Sequence, residues 1–256
     1  MEKVLRIGTR DSELAMWQAK KVQSLLENLG YTTILVPVKS QGDLTLDVPL
    51  YEMGITGVFT KVLDVAMLQG HIDIAVHSMK DVPTMLPKGI VKGAVLERAN
   101  VQDVLVHKGN LDFLSMAEAT IATGSLRRKA QWLRRYPTHR VENLRGNIAT
   151  RLRKLEEQPW QGAIFAAAAL ERLQHDNLQT LTLDWMTPAP AQGAIMAVAL
   201  ANDTYALEAL AQINSPKADA ETDIERRFLK RLEGGCTAPI GARATLEGEQ
   251  ICFVGN

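Results

Sequence analysis

The sequence predicts an α/β protein with two lobes joined by a hinge, followed by a small α+β third domain. Short apolar runs alternate with stretches of helical periodicity, a pattern typical of mainly parallel sheets with helices on both faces. The pattern pauses near residue 100 and restarts, and a proline-rich segment follows the second unit. A chain of 256 residues, 46% of them hydrophobic, is also long enough for more than one domain. The predicted division is 1–97 with 193–212, then 101–188, then 215–256.

The elements of the first lobe follow in order along the chain. Residues 4–7 form an apolar run that predicts a strand, and Asp11 or Ser12 can cap the helix after it. Gly30 ends that helix, and the β-branched segment 33–38 predicts the next strand. A second helix over 59–67 and a strand over 72–76 complete the unit. The first helix has an apolar stripe at spacings of three and four: Ala15, Ala19, Val22, Leu26 and Leu29.

The second lobe repeats this alternation, with strands predicted at 104–107, 119–123, 140–144 and 162–166. The prolines of segment 188–193 exclude helix and indicate a linker. If the next strand, 194–200, returns to the first lobe, the chain crosses between lobes twice and forms a hinge beside a cleft. An amphipathic helix from about Ser215 to Leu232 opens the third domain.

Composition limits the functional classes. The chain has 29 Lys and Arg and 29 Asp and Glu, a formal net charge of +0, which disfavours a bulk nucleic-acid binder. No run of about 18 apolar residues predicts a membrane span, and the charged N-terminus does not resemble a signal peptide. Two cysteines form no disulfide framework, so we expect a cytoplasmic protein.

The clearest local feature is a basic segment, residues 121–160. We expect four of its cations, Arg134, Arg135, Arg153 and Lys154, to lie on solvated helix faces. Arg127, Arg128 and Arg145 instead follow predicted strands and open helices, at the sheet edge where doubly wound folds bind ligands. Free N–H groups at helix N-termini and the planar guanidinium of arginine both suit carboxylate or phosphate. The pattern therefore predicts a site for several anionic groups.

A second feature is the segment 77–83, His-Ser-Met-Lys-Asp-Val-Pro, after a predicted strand. Lys80 and Asp81 could form an acid/base pair with a tuned pKa, or simply an ion pair beside a turn set by Pro83. Both interpretations remain open at this point. His77 and His71 lack the further ligands that zinc would require.

The two cysteines differ in their surroundings. Cys236 follows two glycines in the segment Leu-Glu-Gly-Gly-Cys, which predicts an accessible and reactive thiol. Cys252 lies in the apolar run Ile-Cys-Phe-Val, so we expect it to be an inert core residue.

Taken together, these segments resemble the porphobilinogen deaminase family. The matching stretches are spread in order over nearly the whole chain: Arg10-Asp11-Ser12, Gln41-Gly42-Asp43, the segment 77–83, Gly124-Ser125-Leu126-Arg127-Arg128, Leu144-Arg145-Gly146-Asn147, Pro190-Ala191-Gln192-Gly193-Ala194 and Leu232-Glu233-Gly234-Gly235-Cys236. The resemblance implies two lobes like those of periplasmic binding proteins and a small third domain. It also implies a monomeric enzyme.

The resemblance further implies a transferase that joins four porphobilinogen molecules head to tail, releasing ammonia each time, to give hydroxymethylbilane in tetrapyrrole and haem biosynthesis. The chain is primed on a dipyrromethane cofactor, held by a thioether to Cys236. Asp81 is then the catalytic acid/base, with Lys80 beside it. The acetate and propionate groups of substrate and cofactor are bound by Arg10, Ser12, Ser125, Arg127, Arg128, Arg145, Arg151, Arg172 and Gln192.

The sequence departs from the family pattern at two places. Thr56 stands where the family usually has a lysine in a loop over the cleft, and the sequence stops at Asn256, early in the third domain. We therefore expect a truncated third domain, with an unpaired strand edge and weaker cofactor attachment. Two other functions remain possible from sequence: a non-catalytic anion-binding protein of the same fold, and a nucleic-acid binder using residues 121–160.

Overall fold

The computed structural model describes residues 3–38, 60–232 and 238–256. Segment 41–43, Thr56 and Cys236 lie outside the described residues, so the predictions for them are untested by the fold.

The described residues form twelve strands and seven α-helices. The strands are β1 (Leu5–Arg10), β2 (Thr33–Val38), β3 (Ile74–Ser78), β4 (Ile90–Val95), β5 (Asp103–His107), β6 (Thr120–Ala122), β7 (Arg140–Glu142), β8 (Gly162–Ala166), β9 (Thr180–Thr182), β10 (Ile195–Leu200), β11 (Ala242–Glu247) and β12 (Gln250–Gly255). The helices are α1 (Glu13–Asn28), α2 (Lys61–Leu68), α3 (Leu126–Arg135), α4 (Ile148–Glu157), α5 (Ala167–Arg172), α6 (Thr204–Ala211) and α7 (Pro216–Arg231).

Two five-stranded sheets have the same plan. The first has the order β2-β1-β3-β10-β4 and the second β7-β6-β8-β5-β9. In each sheet four strands share a direction, and one, β10 or β5, is antiparallel to both of its neighbours. The reversed strands β5 and β10 are the first strands after the two crossovers between sheets. Each therefore begins at the edge where the parallel strands end.

Apolar side chains on both faces of each sheet explain why the helices pack there. On one face of the first sheet, Leu5 and Ile7 of β1 pack with Val22 and Leu26 of α1. On its other face, Leu63 and Met67 of α2 form a second core cluster. The second sheet has the same two-sided arrangement, with Trp132 of α3 fully buried on one side. This double cover fixes the strand ends of both sheets in space.

Strand β10 returns to the first sheet, as expected, so the chain passes between the two sheets twice. Gly193 carries φ +85°, and a side chain there would meet the carbonyl oxygen of Ala99 at 2.6 Å. The Ala99 amide donates to the Gly193 carbonyl (3.2 Å), so the two crossover segments run side by side. Glycine is required here by both the backbone conformation and the close approach.

The third part of the chain attaches to this hinge. Glu225 of α7 is fully buried, and its carboxylate accepts from the Arg98 guanidinium (2.8 Å), the Ala191 amide (2.6 Å) and the Ala244 amide (2.7 Å). These partners belong to both crossovers and to β11. One carboxylate thus connects the hinge to the β11–β12 hairpin.

Several predicted boundaries were wrong at the sheet edge. β1 continues to Arg10 and β3 to Ser78, whereas the expected strands ended at residues 7 and 76. These strands end in polar residues that the backbone ladder still includes, because Thr9 and Arg10 pair with Pro37 and Val38. An apolar run alone cannot show where such a strand ends.

The expectation that Cys252 lies in the core was also wrong. Its segment does form strand β12, but Cys252 is exposed, as is every residue of that strand. Most of the packing on α7 comes from β11, through residues such as Ala242 and Ala244, whereas β12 contributes an edge-to-face contact between Phe253 and Phe228. A strand of apolar residues becomes core only when another layer covers it.

Candidate active site

Lys80 and Asp81 lie where the first sheet faces the second. β3 passes directly into a 3₁₀-helix, Met79–Asp81, which Met79 anchors through its buried side chain. Lys80 and Asp81 are half-buried. The pKa of Lys80 is lowered to about 8, chiefly by burial and also by the charges of Arg128 and Arg127, whereas Asp81 and Asp103 oppose the shift. The Lys80 ammonium is therefore partly desolvated and responsive to nearby charge.

Arg10 is the last residue of β1, and Ser12 follows it at the same edge of the first sheet. Ser12 is the N-cap of α1, and its hydroxyl accepts a hydrogen bond from the Ala15 amide (3.4 Å). Arg10 lies near His77 at the end of β3, and burial together with the Arg10 charge lowers the pKa of His77 to about 4. His77 is thus neutral at physiological pH and takes no part as a cation.

Arg127 and Arg128, in the first turn of α3, point inward to a single carboxylate. Asp103 Oδ1 accepts from Arg128 Nε (3.0 Å) and Nη2 (2.7 Å), while Arg127 Nη1 lies 2.8 Å from Asp103 Oδ2. All three side chains are buried. Burial lowers the pKa of Arg127, with Asp103 opposing that shift. Two buried cations therefore share one buried anion.

Arg145 and Arg151 bring positive charge from the next strand-to-helix turn. Arg145 is buried between β7 and α4, and burial lowers its pKa. Arg151 Nε donates to the Gly146 carbonyl at 2.7 Å. Burial lowers the pKa of Arg151 to about 10, as do the charges of Arg128 and Arg145, whereas Asp81 acts in the opposite direction. Arg151 thus lies within the electrostatic reach of residues from both sheets.

Gln192 of the second crossover links the two sides. It is almost completely buried, and its amide nitrogen donates to the Val101 carbonyl (2.7 Å) and to Asp103 Oδ1 (3.0 Å). Its amide oxygen accepts from Lys80 Nζ at 3.3 Å. Gln192 therefore joins a residue of the second sheet to a residue of the first.

The remaining predicted residues have different environments. Ser125 is the N-cap of α3 and accepts from the Arg128 amide (3.4 Å), which places its hydroxyl at the start of that helix. Arg172, by contrast, contacts the hinge: it donates to the Gly193 carbonyl (2.7 Å), and its guanidinium lies 5.5 Å from the ring centroid of Trp17. Burial lowers the pKa of Arg172 to about 10.

Three of the four cations expected on solvated helix faces are exposed, and the fourth, Lys154, is half-buried. Arg134, Arg135 and Arg153 are exposed, and Arg153 pairs with Glu157 one turn along α4. Lys154 is half-buried and donates to the Arg145 carbonyl at 3.3 Å. Position relative to the strand ends therefore separated the buried cations of this segment from three of its surface cations.

The buried cationic cluster is defined as Lys80, Arg127, Arg128, Arg145 and Arg151, of which Lys80 and Arg151 are half-buried. Among the described residues, Asp81 and Asp103 act on this cluster as anions. Bringing several cations together away from bulk water is unfavourable. Such a cluster fits a ligand with several carboxylates, and dipyrromethane, built from two units that each carry two carboxylates, has this character. The residues present thus fit the cofactor that the sequence implied.

Sequence reasoning missed Asp103. A lone aspartate at the start of an apolar run gives no signal of its function, since many strands begin with a polar residue. What places it in the site is the reversed direction of β5, which brings its first residue to the edge where the parallel strands end.

Comparison with protein families gives two matches along the chain. Residues 5–208 match the model described as "Porphobilinogen deaminase, dipyromethane cofactor binding domain". Residues 220–255 match "Porphobilinogen deaminase, C-terminal domain". In the described part of the chain, we find no helix with both the length and the apolarity needed to cross a membrane.

Curated proteins described as porphobilinogen deaminases match this chain over most of their own length. A porphobilinogen deaminase of Syntrophotalea carbinolica is 42% identical over 98% of this chain and 81% of its own length. One of Pelotomaculum thermopropionicum is 43% identical over 100% of this chain and 83% of its own. A probable porphobilinogen deaminase of Methanocaldococcus jannaschii is 42% identical over 95% of this chain.

Solved structures show the fold. The VFT2 domain of Bordetella pertussis BvgS superposes with a TM-score of 0.51 at 13% identity, covering 88% of this chain and 92% of that one. A probable amino-acid ABC transporter extracellular-binding protein, ytmK from Bacillus subtilis, gives 0.51 at 11% identity, covering 90% and 97%. At these identities the similarity shows the two-lobed architecture alone.

The family match confirms the main functional prediction. The enzyme is a transferase of tetrapyrrole biosynthesis that condenses porphobilinogen to hydroxymethylbilane, and its cofactor is dipyrromethane. Because residues 5–208 of this chain match the cofactor-binding model, and relatives of that name are more than 40% identical, this chain belongs to the porphobilinogen deaminase family.

Proposed function

We propose that Asp81 is the acid/base of the condensation and that Lys80 and the arginines of both sheets hold the carboxylates of substrate and cofactor. The observation that carries this proposal is the position of Asp81 at the end of β3, facing the buried cationic cluster. The Asp81 carboxylate directly follows Lys80 in the sequence, and it interacts electrostatically with both Lys80 and Arg151.

Each condensation releases ammonia and leaves positive charge on the pyrrole ring of the incoming substrate. A carboxylate beside that ring can hold a proton for the departing amine, and as an anion it stabilises the developing cation. The cofactor, when bound, supplies the pyrrole to which the first substrate is joined. Asp81 is suited to this proton transfer because it is half-buried, lies in the fixed turn after β3 and acts electrostatically on Lys80 and Arg151.

The other site residues bind and orient carboxylates. Arg145 and Arg151 supply guanidinium groups that pair with carboxylates in a planar, bidentate manner. Ser12 and Ser125 offer hydroxyl donors at helix N-termini, where free N–H groups also favour anions. We assign the same class of ligand to Arg10, Arg127, Arg128, Arg172 and Gln192.

We further propose the division into 1–97 with 193–212, 101–188 and 215–256 as the domains of a monomeric, cytoplasmic enzyme. Its small-molecule partner is porphobilinogen. The balanced formal charge supports a protein that does not act on nucleic acid. Cys236 and Cys252 form no pattern that would indicate an oxidising compartment.

Intact mass spectrometry of the protein expressed from its gene tests the proposed attachment. We expect the mass to exceed that of the polypeptide by two linked pyrrole units, and the excess to survive reduction, because a thioether does not undergo thiol exchange. Denatured protein should then titrate for one thiol, that of Cys252.

Matched cysteine variants complete this test. Cys236→Ser should lack both the added mass and the activity, whereas Cys252→Ser should keep both, because Cys252 lies on the exposed strand β12. An active protein with two free thiols and an unmodified mass would refute covalent attachment at Cys236.

A further inference from the structure

We propose that Asp103 is a positioning residue of this enzyme: it sets the two arginines of α3 and, through Gln192, the ammonium group of Lys80. The inference rests on the function proposed above, because it concerns the same site. Neither the motif analysis nor the family resemblance assigned a role to this residue.

The first step of the argument is the geometry around the carboxylate. Asp103 is completely buried, and Oδ1 accepts from Arg128 twice (3.0 and 2.7 Å) and from Gln192 Nε2 (3.0 Å). Oδ2 lies 2.8 Å from Arg127 Nη1. Oδ1 therefore accepts three hydrogen bonds, whereas Oδ2 is held by its ion contact with Arg127. The orientation of the carboxylate is thus fixed from three sides.

The second step is what the carboxylate leaves available. Arginine has five N–H donors, and in Arg128 two bind Asp103 and one binds the Ile164 carbonyl (2.9 Å). Arg127 Nη1 also donates to the Thr187 carbonyl at 2.6 Å. Asp103 holds one edge of the Arg128 guanidinium and one nitrogen of the Arg127 guanidinium. It neutralises one of the two positive charges, so the pair keeps a net positive charge that can bind a ligand carboxylate.

The third step connects the two lobes. Gln192 donates to Asp103 and to the Val101 carbonyl, so its amide group has one orientation, with its oxygen toward Lys80 Nζ. The chain of contacts Asp103–Gln192–Lys80 runs from the second sheet, across the second crossover, to the first sheet. Loss of Asp103 should therefore alter Lys80 through both this contact and its charge.

The charged groups that face Lys80 determine the direction of the change. Asp81 and Asp103 favour the ammonium form of Lys80, whereas Arg127 and Arg128 disfavour it. Asp103→Asn removes one favourable charge and leaves both arginines in place. The pKa of Lys80 should fall below its value of about 8 in the parent protein.

The experiment titrates Lys80 in Cys236→Ser protein, which carries no covalent cofactor. Trace labelling with acetic anhydride across pH 6–10, read by peptide mass spectrometry, gives the pKa of Lys80, with exposed Lys20 as internal reference. In Asp103→Asn, Lys80 should titrate at lower pH and react faster at pH 7 than in the parent, while Lys20 is unchanged.

Asp73→Asn is the matched control. Asp73 is also buried and also pairs with an arginine, Arg6, through Oδ1 (2.7 Å) and Oδ2 (2.9 Å). This pair lies near the starts of β1 and β3, at the opposite ends of these strands from the site. Both variants should lower the melting temperature, since each leaves an arginine without its carboxylate. Only Asp103→Asn should move the titration of Lys80.

A second variant covers the case in which Asp103→Asn does not fold. Gln192→Leu keeps the ion pairs of Asp103 with Arg127 and Arg128 but removes the hydrogen-bond acceptor of Lys80. Because a hydrogen bond donated by the ammonium favours the charged form, this variant should also lower the Lys80 pKa. In otherwise native, cofactor-loaded enzyme, Asp103→Asn should reduce kcat/KM roughly 10- to 100-fold, and Asp73→Asn less than about threefold.

An unchanged Lys80 titration in Asp103→Asn or Gln192→Leu, alongside a lowered melting temperature, would overturn the inference and leave Asp103 a purely structural ion pair. Because Lys80 is titrated without the cofactor, this failure is distinct from failure of the proposed attachment or of Asp81 in turnover.

Discussion

The two lobes share one architecture and contribute different chemistry. Each sheet has four strands in one direction and one reversed strand that begins at the hinge. The first sheet places Lys80 and Asp81 at its edge, and the second places a group of buried arginines there. In the function proposed above, the same fold element, the turn after a parallel strand, supplies the acid/base in the first lobe and most of the carboxylate-binding arginines in the second.

The difference between the lobes follows from local sequence. After β3 the chain forms a short 3₁₀-helix that ends near Pro83, which keeps two charged side chains on a fixed turn. After β6 and β7 it enters full helices capped by Ser125 and Asn147. Their first turns carry Arg127, Arg128 and Arg151, and Arg145 lies just before the second cap. A capped helix offers N–H donors as well as side chains, which suits anion binding.

The largest effect should come from the residue that gives the first lobe its chemistry. Asp81→Asn preserves shape but cannot take up and return a proton, so turnover should fall about 10²- to 10⁴-fold. The covalent cofactor should still be present by intact mass.

Asp203→Asn is a suitable control in the same lobe. Asp203 pairs with Lys3 and caps α6, and asparagine can still cap a helix. Its turnover should stay within about threefold of the parent protein. Near-normal turnover of Asp81→Asn would remove Asp81 from the mechanism and with it the proposed division of roles between the lobes.

A smaller effect should come from the second lobe, where one helix provides its own control. Arg151 and Arg153 both belong to α4, but Arg151 is part of the buried cationic cluster, whereas Arg153 is exposed and paired with Glu157. Arg151→Leu should reduce kcat/KM roughly 10- to 100-fold, the value of a hydrogen-bonded carboxylate partner. Arg153→Leu should change it less than about threefold. Equal losses would mean that the helix acts as a general positive field and not through a defined site.

The sequence predicted the lobes because apolar periodicity reports burial directly. Strands β2 and β8 have the predicted bounds, and Ser215 caps α7 as expected. Strand direction is not encoded in such a pattern. Neither the reversal of β5 and β10 nor the edge strand β9 could be predicted from it, because each depends on partners distant in the chain.

The site shows the same limit. Arg127, Arg128 and Arg145 were identified because they follow strands, a local signal. Their partners could not be, since Asp103 meets Arg128 across 25 residues and Gln192 meets Lys80 across 112. The prediction that Cys252 is a core residue was wrong for a related reason. Its apolar neighbours correctly predicted a strand, but every residue of that strand is exposed.

The smallest expected effect concerns the contact between the lobes, and it is a pH dependence. Burial first, and then Arg128 and Arg127, lower the pKa of Lys80 to about 8. Below that pH the amine is charged and attracts carboxylates, and above it the charge is lost. Affinity of the cofactor-free Cys236→Ser protein for porphobilinogen, measured by calorimetry, should therefore fall as pH rises from 7 to 9. One proton limits the fall to at most about tenfold per pH unit above the pKa. Lys80→Arg should abolish the slope, because guanidinium stays charged throughout this range. A parent protein with constant affinity from pH 7 to 9 would show that Lys80 does not bind the substrate carboxylates, and that the two lobes are not linked through its charge.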